Sequence, residues 1–405
     1  MKWPEVAFQS LYELPSRNGI YKAKSFHGSG AKIVNMGELF KYNFVGPQEM
    51  ARLRVDDSEQ ERFGLQDGDL LFARRSLVEA GAGKCVVVEG VTEPTVFESS
   101  LIRVRLSSDT CNPRYYYYYF GCPPGRSRIE AIITGVAQKG IRSSDLASIT
   151  VHHPDLPTQH RIADILSAYD DLIENNNRRM ALLEETIHLL YREWFVYLRF
   201  PGHERVKVVD GVPEGWRRAI ASELIDFNPR TAVLKDEVRP YVPMGSLSTT
   251  SMRISDIEER LPKGGAKFQN EDTLLARITP CLENGKTGFV QFLETGEETA
   301  TGSTEFIVMR GTKVPPTWVY CLARSATFRQ HAINSMTGSD GRQRVDKDSL
   351  KGFALLLPPT RVLGEWESVV RVHFDQVHLL SSQNQRLREA RDLLLPRLMN
   401  GSIAV

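Results

Sequence analysis

The sequence lacks the features that mark membrane, secreted and zinc-binding proteins. It contains no apolar run of about 20 residues, which is the length that a membrane-spanning helix needs. Residues 1–5 do not begin an apolar secretory signal, so we expect a cytoplasmic protein that does not enter a membrane. No two of the cysteines form a CxxC pair, which predicts neither a disulfide framework nor a zinc site. The cysteines are scattered and number five: Cys85, Cys111, Cys122, Cys281 and Cys321.

Net charge is also small. The 405 residues include 51 Lys and Arg against 50 Asp and Glu, which gives a formal net charge of +1. A protein that held DNA by itself would need clustered cations to neutralise phosphates. For a protein that does bind DNA, this balance would imply local basic loops offset by acidic surfaces, or basic partners that share the contact. The length is too great for one ordinary core and predicts two or more domains.

An internal repeat is the most informative pattern in the chain. The segment LQDGDLLFAR at 65–74 matches FQNEDTLLAR at 268–277. Two copies are too few for a solenoid, so the pattern indicates duplication of one unit. Three further matches keep the same order, with a shift of 202 to 204 residues: Gly83-Lys84 with Gly285-Lys286, Thr134-Gly135 with Thr337-Gly338, and Pro154 with Pro358.

Each copy has the same internal order. Short β-type runs such as 85–88, 101–104 and 306–309 lie between Gly/Pro turns, and a long amphipathic segment follows. Prolines mark that boundary because proline favours a helix start over a helix interior. We therefore predict an α+β fold with a pseudo-two-fold internal repeat. It has two globular mixed α/β domains, separated by two long helices that form an antiparallel coiled coil. The predicted ranges are domain 1 at 1–155, a central spacer helix at 156–200, domain 2 at 201–358 and a C-terminal spacer helix at 359–405.

Both long segments carry seam residues with a seven-residue period, which is typical of a coiled coil. We expect helix one to begin near Thr158, whose hydroxyl can cap the first turn. Pro396 should end or kink helix two. The predicted seam of helix one is Ile162, Leu166, Tyr169, Ile173, Asn176, Met180, Leu183, Ile187, Leu190, Trp194 and Tyr197. The predicted seam of helix two is Trp366, Val370, His373, Val377, Leu380, Asn384, Leu387, Arg391 and Leu394.

Each predicted seam has an asparagine near its middle. Two repeats related by a two-fold axis would pair the helices antiparallel, in a register that sets Asn176 against Asn384 and Met180 against Leu380. We hypothesise that the asparagine contact fixes this register. Side chains more than about 8 Å apart would contradict it, since a hydrogen bond needs near 3 Å. The alternative is that each helix packs only on its own domain.

Five segments of the chain share motifs with one protein family. They are PDLPTQHRIADILS at 154–167, DDLIENNNRR at 170–179, WFV at 194–196, TPCLENGK at 279–286 and LLPRLMNG at 394–401. Together with the duplicated layout, they resemble the specificity (S) subunits of type I restriction–modification enzymes. Helix two departs from this resemblance at its start, where residues 361–366 read RVLGEW.

The resemblance implies a DNA-specificity subunit without catalysis of its own. Each target-recognition domain would read one half-site of a bipartite double-stranded DNA target, and the helices would act as a ruler and as docking sites. The partners would be two adenine methyltransferase subunits, which flip the base and use S-adenosylmethionine, and motor–nuclease subunits, which use ATP and Mg. This chain would need no cofactor or metal.

Two loops at equivalent places in the repeat mix Gln with Arg or Lys. Gln can bond adenine bidentately, Arg can bond guanine and Lys suits phosphate, so we predict DNA contacts. A solvated basic loop is the alternative. The predicted residues are Gln138, Lys139 and Arg142 in the first copy, and Arg342, Gln343 and Arg344 in the second.

Other basic residues are weaker candidates for DNA contact. Arg74, Arg75 and Arg277 end matched strand-like runs, where structural salt bridges are as reasonable. Lys84 and Lys286 follow glycines in matched turns and could meet phosphate, or simply lie in solvated turns.

Two conspicuous runs are better explained without a ligand, and no catalytic motif is present. The aromatic run 115–120 is interpreted as core rather than as a base-stacking surface, and His152-His153 lacks partners for a metal. The chain contains neither GxSxG nor HExxH, and residues 228–230 (NPR) only approach the Asn-Pro-Pro motif of adenine methyltransferases. The alternatives left open are a recognition component of a related nuclease or methyltransferase system, and a coiled-coil scaffold that does not bind DNA.

Overall fold

The computed structural model describes residues 3–77, 79–135, 138–234, 236–295, 298–339 and 341–403. The chain forms two compact units: unit 1 contains residues 1–173 and 386–405, and unit 2 contains residues 174–385. Within the described ranges, none of the helices combines the length and the hydropathy required to cross a bilayer.

Unit 1 is a mixed α/β domain in which β-branched and aromatic runs form the strands. Its third helix begins at Pro113, and the Asn112 carboxamide oxygen accepts from the Tyr115 N–H at 3.2 Å, which caps the first turn. The strands are β1 Glu5–Ala7, β2 Tyr12–Asn18, β3 His27–Val34, β4 Phe44–Val45, β5 Arg52–Leu53, β6 Leu70–Ala73, β7 Arg75–Ser76, β8 Cys85–Val88, β9 Thr95–Phe97, β10 Leu101–Leu106, β11 Lys139–Gly140 and β12 Thr150–His152. The helices are α1 Met36–Lys41, α2 Asp57–Phe63, α3 Pro113–Gly121, α4 Pro123–Glu130 and α5 Ser143–Ser148.

The main sheet of unit 1 has the order β2-β10-β6-β8-β4, and a second sheet has the order β5-β3-β9. Strand β6 is buried on both faces. Leu70 and Phe72 pack with the aromatic residues of α3, whereas Leu71 and Ala73 pack in a second core with β8. This alternation follows from the two-residue period of a strand. It explains why the run LLFA contains no polar residue.

Unit 2 repeats this arrangement. The order β16-β23-β20-β21 corresponds to β2-β10-β6-β8, and β17 pairs parallel with β22 as β3 does with β9. The predicted duplication is therefore confirmed at the level of topology. The strands are β13 Val208–Val209, β14 Val212–Pro213, β15 Arg217–Ile220, β16 Ile225–Phe227, β17 Arg239–Val242, β18 Glu258–Arg260, β19 Ala266–Gln269, β20 Thr273–Ala276, β21 Thr287–Phe289, β22 Thr299–Gly302, β23 Phe306–Gly311, β24 Met336–Thr337, β25 Arg344–Val345 and β26 Ala354–Leu357. The short helices are α7 Pro316–Arg324, α8 Ala326–Asn334 and α9 Lys347–Lys351.

A buried aspartate holds the same turn in both copies. Asp69 and Asp272 are fully buried at the start of β6 and β20. Each accepts from a main-chain N–H three residues earlier at 2.9 Å. Each also pairs with an arginine of the neighbouring strand, Arg105 or Arg310, with Nε–Oδ1 distances of 2.7 Å. The carboxylate thus satisfies the turn and the arginine together, which compensates for burying its charge.

The long helices are α6 Leu156–Tyr191, which continues as a π-turn over Arg192–Val196, and α10 Thr360–Met399. We call them the central helix and the C-terminal helix. The expected cap at Thr158 is wrong, because the central helix begins two residues earlier and Asp155 accepts from the Thr158 N–H at 3.0 Å. Nor does Pro396 end the C-terminal helix, which continues to Met399 with the proline inside its last turn.

The predicted seams are mostly buried, with two corrections. Tyr197 lies beyond the π-turn and is exposed. His373 is half-buried, and the neighbouring Phe374 enters the core in its place. In unit 2 the end of the central helix shares a core with the start of the C-terminal helix, and in unit 1 the start of the central helix shares a core with the end of the C-terminal helix. The two helices therefore run antiparallel.

Candidate nucleic-acid interface

The first basic site lies in unit 1, where the short strands β7 and β11 pair antiparallel. The Ile141 N–H donates to the Arg74 carbonyl at 3.0 Å, which fixes the basic loop beside the end of β6. The pairing creates a cleft of about 310 Å³ lined by five of the six residues of this unit that were predicted to contact DNA: Arg74, Arg75, Gln138, Lys139 and Arg142.

The site in unit 2 is built in the same way. The Val345 N–H donates to the Arg277 carbonyl at 2.9 Å, as Ile141 does to Arg74 at the equivalent place in the repeat. The Thr279 N–H donates to the Gln343 carbonyl at 3.1 Å and holds the loop from the other side. The structure therefore brings the predicted residues Arg342, Gln343 and Arg344 beside Arg277.

Glu305 is an acidic centre within the second site. It accepts from Arg344 at 2.7 Å and from Arg277 at 3.1 Å. Hydrogen bonds from Arg344, and then from Arg277, lower the pKa of the Glu305 carboxyl. Both guanidinium groups are thus oriented by a carboxylate, so the salt bridge that we held as an alternative for Arg277 is present. In unit 1, Arg74 instead donates to the Ser99 carbonyl at 3.4 Å.

The two candidate lysines are tied to the main chain. Lys84 Nζ donates to the Phe40 carbonyl at 3.1 Å, and Lys286 Nζ donates to the Met244 carbonyl at 2.9 Å. Partial burial lowers the pKa of Lys84. The two bonds lie at matched positions of the repeat and hold each lysine against the main chain. Both lysines therefore have a structural contact, in addition to any contact with phosphate.

The asparagine pair of the long helices lies in unit 2. Asn176 Nδ2 donates to Asn384 Oδ1 at 2.9 Å, and Asn384 Nδ2 donates to Asn177 Oδ1 at 3.1 Å. Asn176 and Asn384 are buried, as are Met180 and Leu380 in the same core. The distance lies within the limit set from the sequence. The idea that this contact fixes the register stays a prediction.

The aromatic run on α3 is core, as predicted. Tyr115, Tyr116, Tyr118, Tyr119 and Phe120 are all buried. His153 Nδ1 lies 2.7 Å from the Tyr116 hydroxyl oxygen, so the imidazole ring is a hydrogen-bond partner of this aromatic core. In the described ranges, no three His, Cys, Asp or Glu side chains are grouped so that they could share a metal ion.

Residues 2–185 match the family model described as the type I restriction modification DNA specificity domain. The MjaIX specificity subunit of Methanocaldococcus jannaschii is 23% identical over 305 residues, 72% of this chain and 69% of that protein. The HindI specificity subunit of Haemophilus influenzae is 19% identical over 442 residues, 92% of this chain and 94% of that protein. Residues 2–185 therefore carry the type I restriction–modification specificity domain, and most of the chain is similar to specificity subunits. Its fold is similar to the solved S subunit from M. genitalium, with a TM-score of 0.59 and 14% identity over 98% of this chain and 96% of that one.

Sequence reasoning missed the residues that join the central helix to the rest of unit 1. Gln159 is fully buried. Its carboxamide accepts from the Asn112 N–H at 2.9 Å and donates to the carbonyls of Thr110 and Pro154 at 3.0 and 2.8 Å. The PTQHR motif carried the family resemblance, but its glutamine could be recognised as an anchor only once α3 was placed beside it.

A second anchor in unit 1 is the carboxylate of Asp170. It accepts from the buried Tyr118 hydroxyl at 2.6 Å and pairs with Arg391 of the C-terminal helix. Tyr118 and Arg391 enclose this carboxylate, which is buried. Arg391 was predicted as a seam residue, and its contribution is an ion pair rather than an apolar contact.

The anchors in unit 2 use different chemistry. Trp366 Nε1 donates to Thr317 Oγ1 at 3.3 Å, and Arg371 pairs with Glu271 at 2.8 Å. The central helix contributes Glu184, which accepts from the Ser251 hydroxyl at 2.6 Å and from a main-chain N–H at 2.7 Å. Burial raises the pKa of Glu184. Buried polar contacts thus fasten the segments of the long helices within each unit.

Proposed function

We propose that this specificity subunit reads a bipartite double-stranded DNA target, one half-site per recognition domain. The observation that carries the proposal is that the same basic site is built twice. In each copy a basic loop is hydrogen-bonded to the end of the matched central strand, through Ile141 and Arg74 or through Val345 and Arg277. A feature retained at the same place in two diverged domains supports a shared ligand.

The side chains at both sites suit duplex DNA. Arg and Gln can bond the major-groove edges of guanine and adenine, and Lys neutralises phosphates. Unit 1 supplies Arg75, Gln138 and Arg142, and unit 2 supplies Arg342, Gln343 and Arg344. The different order of these residues in the two loops supports recognition of two different half-sites.

We further propose that two adenine methyltransferase subunits dock on the long helices. Each unit has exposed apolar residues on its helices at positions that the repeat makes equivalent. Ile165 and Leu393 are exposed in unit 1, and Val369 and Leu189 are exposed in unit 2, with a shift of 204 residues between partners. We call these pairs the outer patches. Two equivalent apolar patches support two equivalent partners.

In this proposal the chain performs no catalysis. S-adenosylmethionine belongs to the methyltransferase subunits, and ATP and Mg belong to the motor–nuclease subunits. The described residues of this chain fall into recognition domains, long helices and the anchors between them, which supports a division of labour between specificity and chemistry.

Co-expression with type I adenine methyltransferase subunits tests the main proposal. Single-molecule methylation mapping should show methyladenines in one split motif, and exchanging residues 1–155 for those of a relative should change one half-site. Methylation or cleavage by this chain alone, or a swap that altered both half-sites, would contradict it.

Stoichiometry can be tested at the outer patches. We expect Leu189→Asp and Leu393→Asp each to remove one methyltransferase from the complex, and the double variant to remove both, because a buried unpaired carboxylate is strongly unfavourable. Native mass spectrometry measures the loss. Leu261→Asp, at an exposed leucine of unit 2 outside the helices, is the matched control. Retention of both partners by the double variant would refute docking at these patches.

A further inference from the structure

Unit 2 also contains a basic cleft, which lies beside the loop that carries Arg342, Gln343 and Arg344. Its volume is about 720 Å³, and its lining includes Asn228, Arg230, Lys267, Arg277 and Thr304. Arg277 belongs to both places, because Glu305 joins it to Arg344 of the basic loop. The cleft and the loop therefore adjoin within unit 2 and share Arg277.

Hydrogen bonds hold the chain on both sides of Arg230, at Asn228 and at Thr231. Asn228 has a positive φ of 53°. Its N–H donates to the Val308 carbonyl at 2.7 Å, and its carboxamide oxygen accepts from the Val308 N–H at 2.9 Å. On the other side, Thr231 Oγ1 accepts from Arg310 at 3.0 Å. Arg310 is itself held by the buried Asp272.

Arg230 differs from the neighbouring arginines, because it has no counter-ion within the described part of the chain. Arg277 pairs with Glu305 and Arg310 pairs with Asp272. Among the described residues, the exposed Arg230 guanidinium has neither a hydrogen bond nor an ion pair. A rigid backbone that presents an unoccupied planar fork is suited to reading a base edge, since little main-chain freedom is lost on binding.

We propose that Arg230 is a specificity-determining residue of recognition domain 2 and bonds the O6 and N7 atoms of a guanine in its half-site. Lys267, half-buried on β19 in the same cleft, meets an adjacent phosphate of the duplex. The assignment follows the geometry of the two groups: guanidinium matches guanine bidentately, whereas ammonium is a point charge. This inference rests on the proposed reading of double-stranded DNA and adds the residue that sets one base.

The test uses the complete complex of this chain with its methyltransferase subunits. Methylation mapping of Arg230→Ala should show one half-site that has become degenerate at one guanine, with the other half-site unchanged. On 30-base-pair duplexes carrying the mapped motif, preference for that guanine should fall about 5- to 150-fold. Lys267→Ala should weaken binding to all duplexes alike, and its log–log salt slope should be smaller by about 0.9.

Two further variants serve as controls for this test. Arg205→Ala removes another exposed arginine of unit 2, outside the cleft, and should leave the motif intact. Arg230→Lys keeps the charge without the fork and should lose the same base preference. Wild-type discrimination in Arg230→Lys, or equal loss on all duplexes in Arg230→Ala, would overturn guanine readout. An unchanged motif in Arg230→Ala overturns this inference alone, whereas a wild-type complex that methylates no split motif would refute the proposed function itself.

Discussion

Replacement of Asn176 and Asn384 by leucine, singly and together, tests the polar contact at the middle of the helix pair. Both side chains are buried, and their hydrogen bond measures 2.9 Å. Either single change leaves the partner carboxamide buried with a bond unmade, which costs about 1–3 kcal/mol. The double change removes both polar groups, so it should be close to neutral or stabilising.

A double-mutant cycle isolates the free energy of the contact between Asn176 and Asn384. The added apolar burial of each leucine is present in the single and the double variants, so it cancels. We expect a coupling free energy of about 1–3 kcal/mol, measured by urea unfolding with a common slope. Additive single effects, with coupling below about 0.5 kcal/mol, would show that the contact contributes nothing specific.

The register hypothesis predicts a second property of the same variants, the spacer length of the sites that they methylate. If the asparagine pair sets the helix register, the double variant should fold stably but methylate sites with more than one spacer length. Asn177, whose carboxamide oxygen accepts from Asn384 at 3.1 Å, is the control position, because Asn177→Ala removes only the outer bond. A single spacer in the double variant would show that the domain anchors, and not the asparagines, set the register.

Two further predictions concern buried titratable and hydroxyl groups. Tyr118→Phe should destabilise unit 1 by about 1.5–3 kcal/mol, because it removes a hydrogen bond to the Asp170 carboxylate. Tyr115→Phe should cost less than about 0.5 kcal/mol, since that hydroxyl is buried without a partner among the described residues; equal urea midpoints would contradict the contrast. Burial, and then Arg324, lowers the pKa of His188 from 6.5 to about 4. The unfolded chain therefore binds a proton first as pH falls, and the wild type should lose about 3 kcal/mol relative to His188→Leu between pH 7 and pH 4. Parallel stability profiles would exclude this role.

The repeat made much of the fold predictable. Residues 65–74 and 268–277 match because each contains a strand buried on both faces and the aspartate that holds its turn. The aromatic run on α3 was also correctly interpreted, because six consecutive aromatic positions cannot all face solvent at acceptable cost. These features depend on burial, which leaves a local pattern in the sequence.

Contacts between distant segments could not be predicted in the same way. Glu305 is separated from Arg277 by 28 residues and from Arg344 by 39, and nothing local marks it as their shared acceptor. Arg230 was set aside because its motif does not fit a methyltransferase. Its position at a cleft depends on where Asn228 turns the chain. Phe374 replaces His373 in the core because the helix packs on unit 2 as well as on its partner helix, and a strict heptad describes only one of those surfaces.

The unlike anchors explain why the C-terminal helix departs from the family motif at its start. The repeat places Leu363 where the central helix has Gln159, and Trp366 where it has Ile162. Gln159 makes three hydrogen bonds to unit 1, whereas Leu363 is buried in the apolar core of unit 2. Trp366 supplies the polar contact there by donating to Thr317. Each recognition domain is therefore matched to its own helix start. An exchange of whole domains between the two positions requires the anchor residues to move with them, whereas an exchange of the basic loops alone does not.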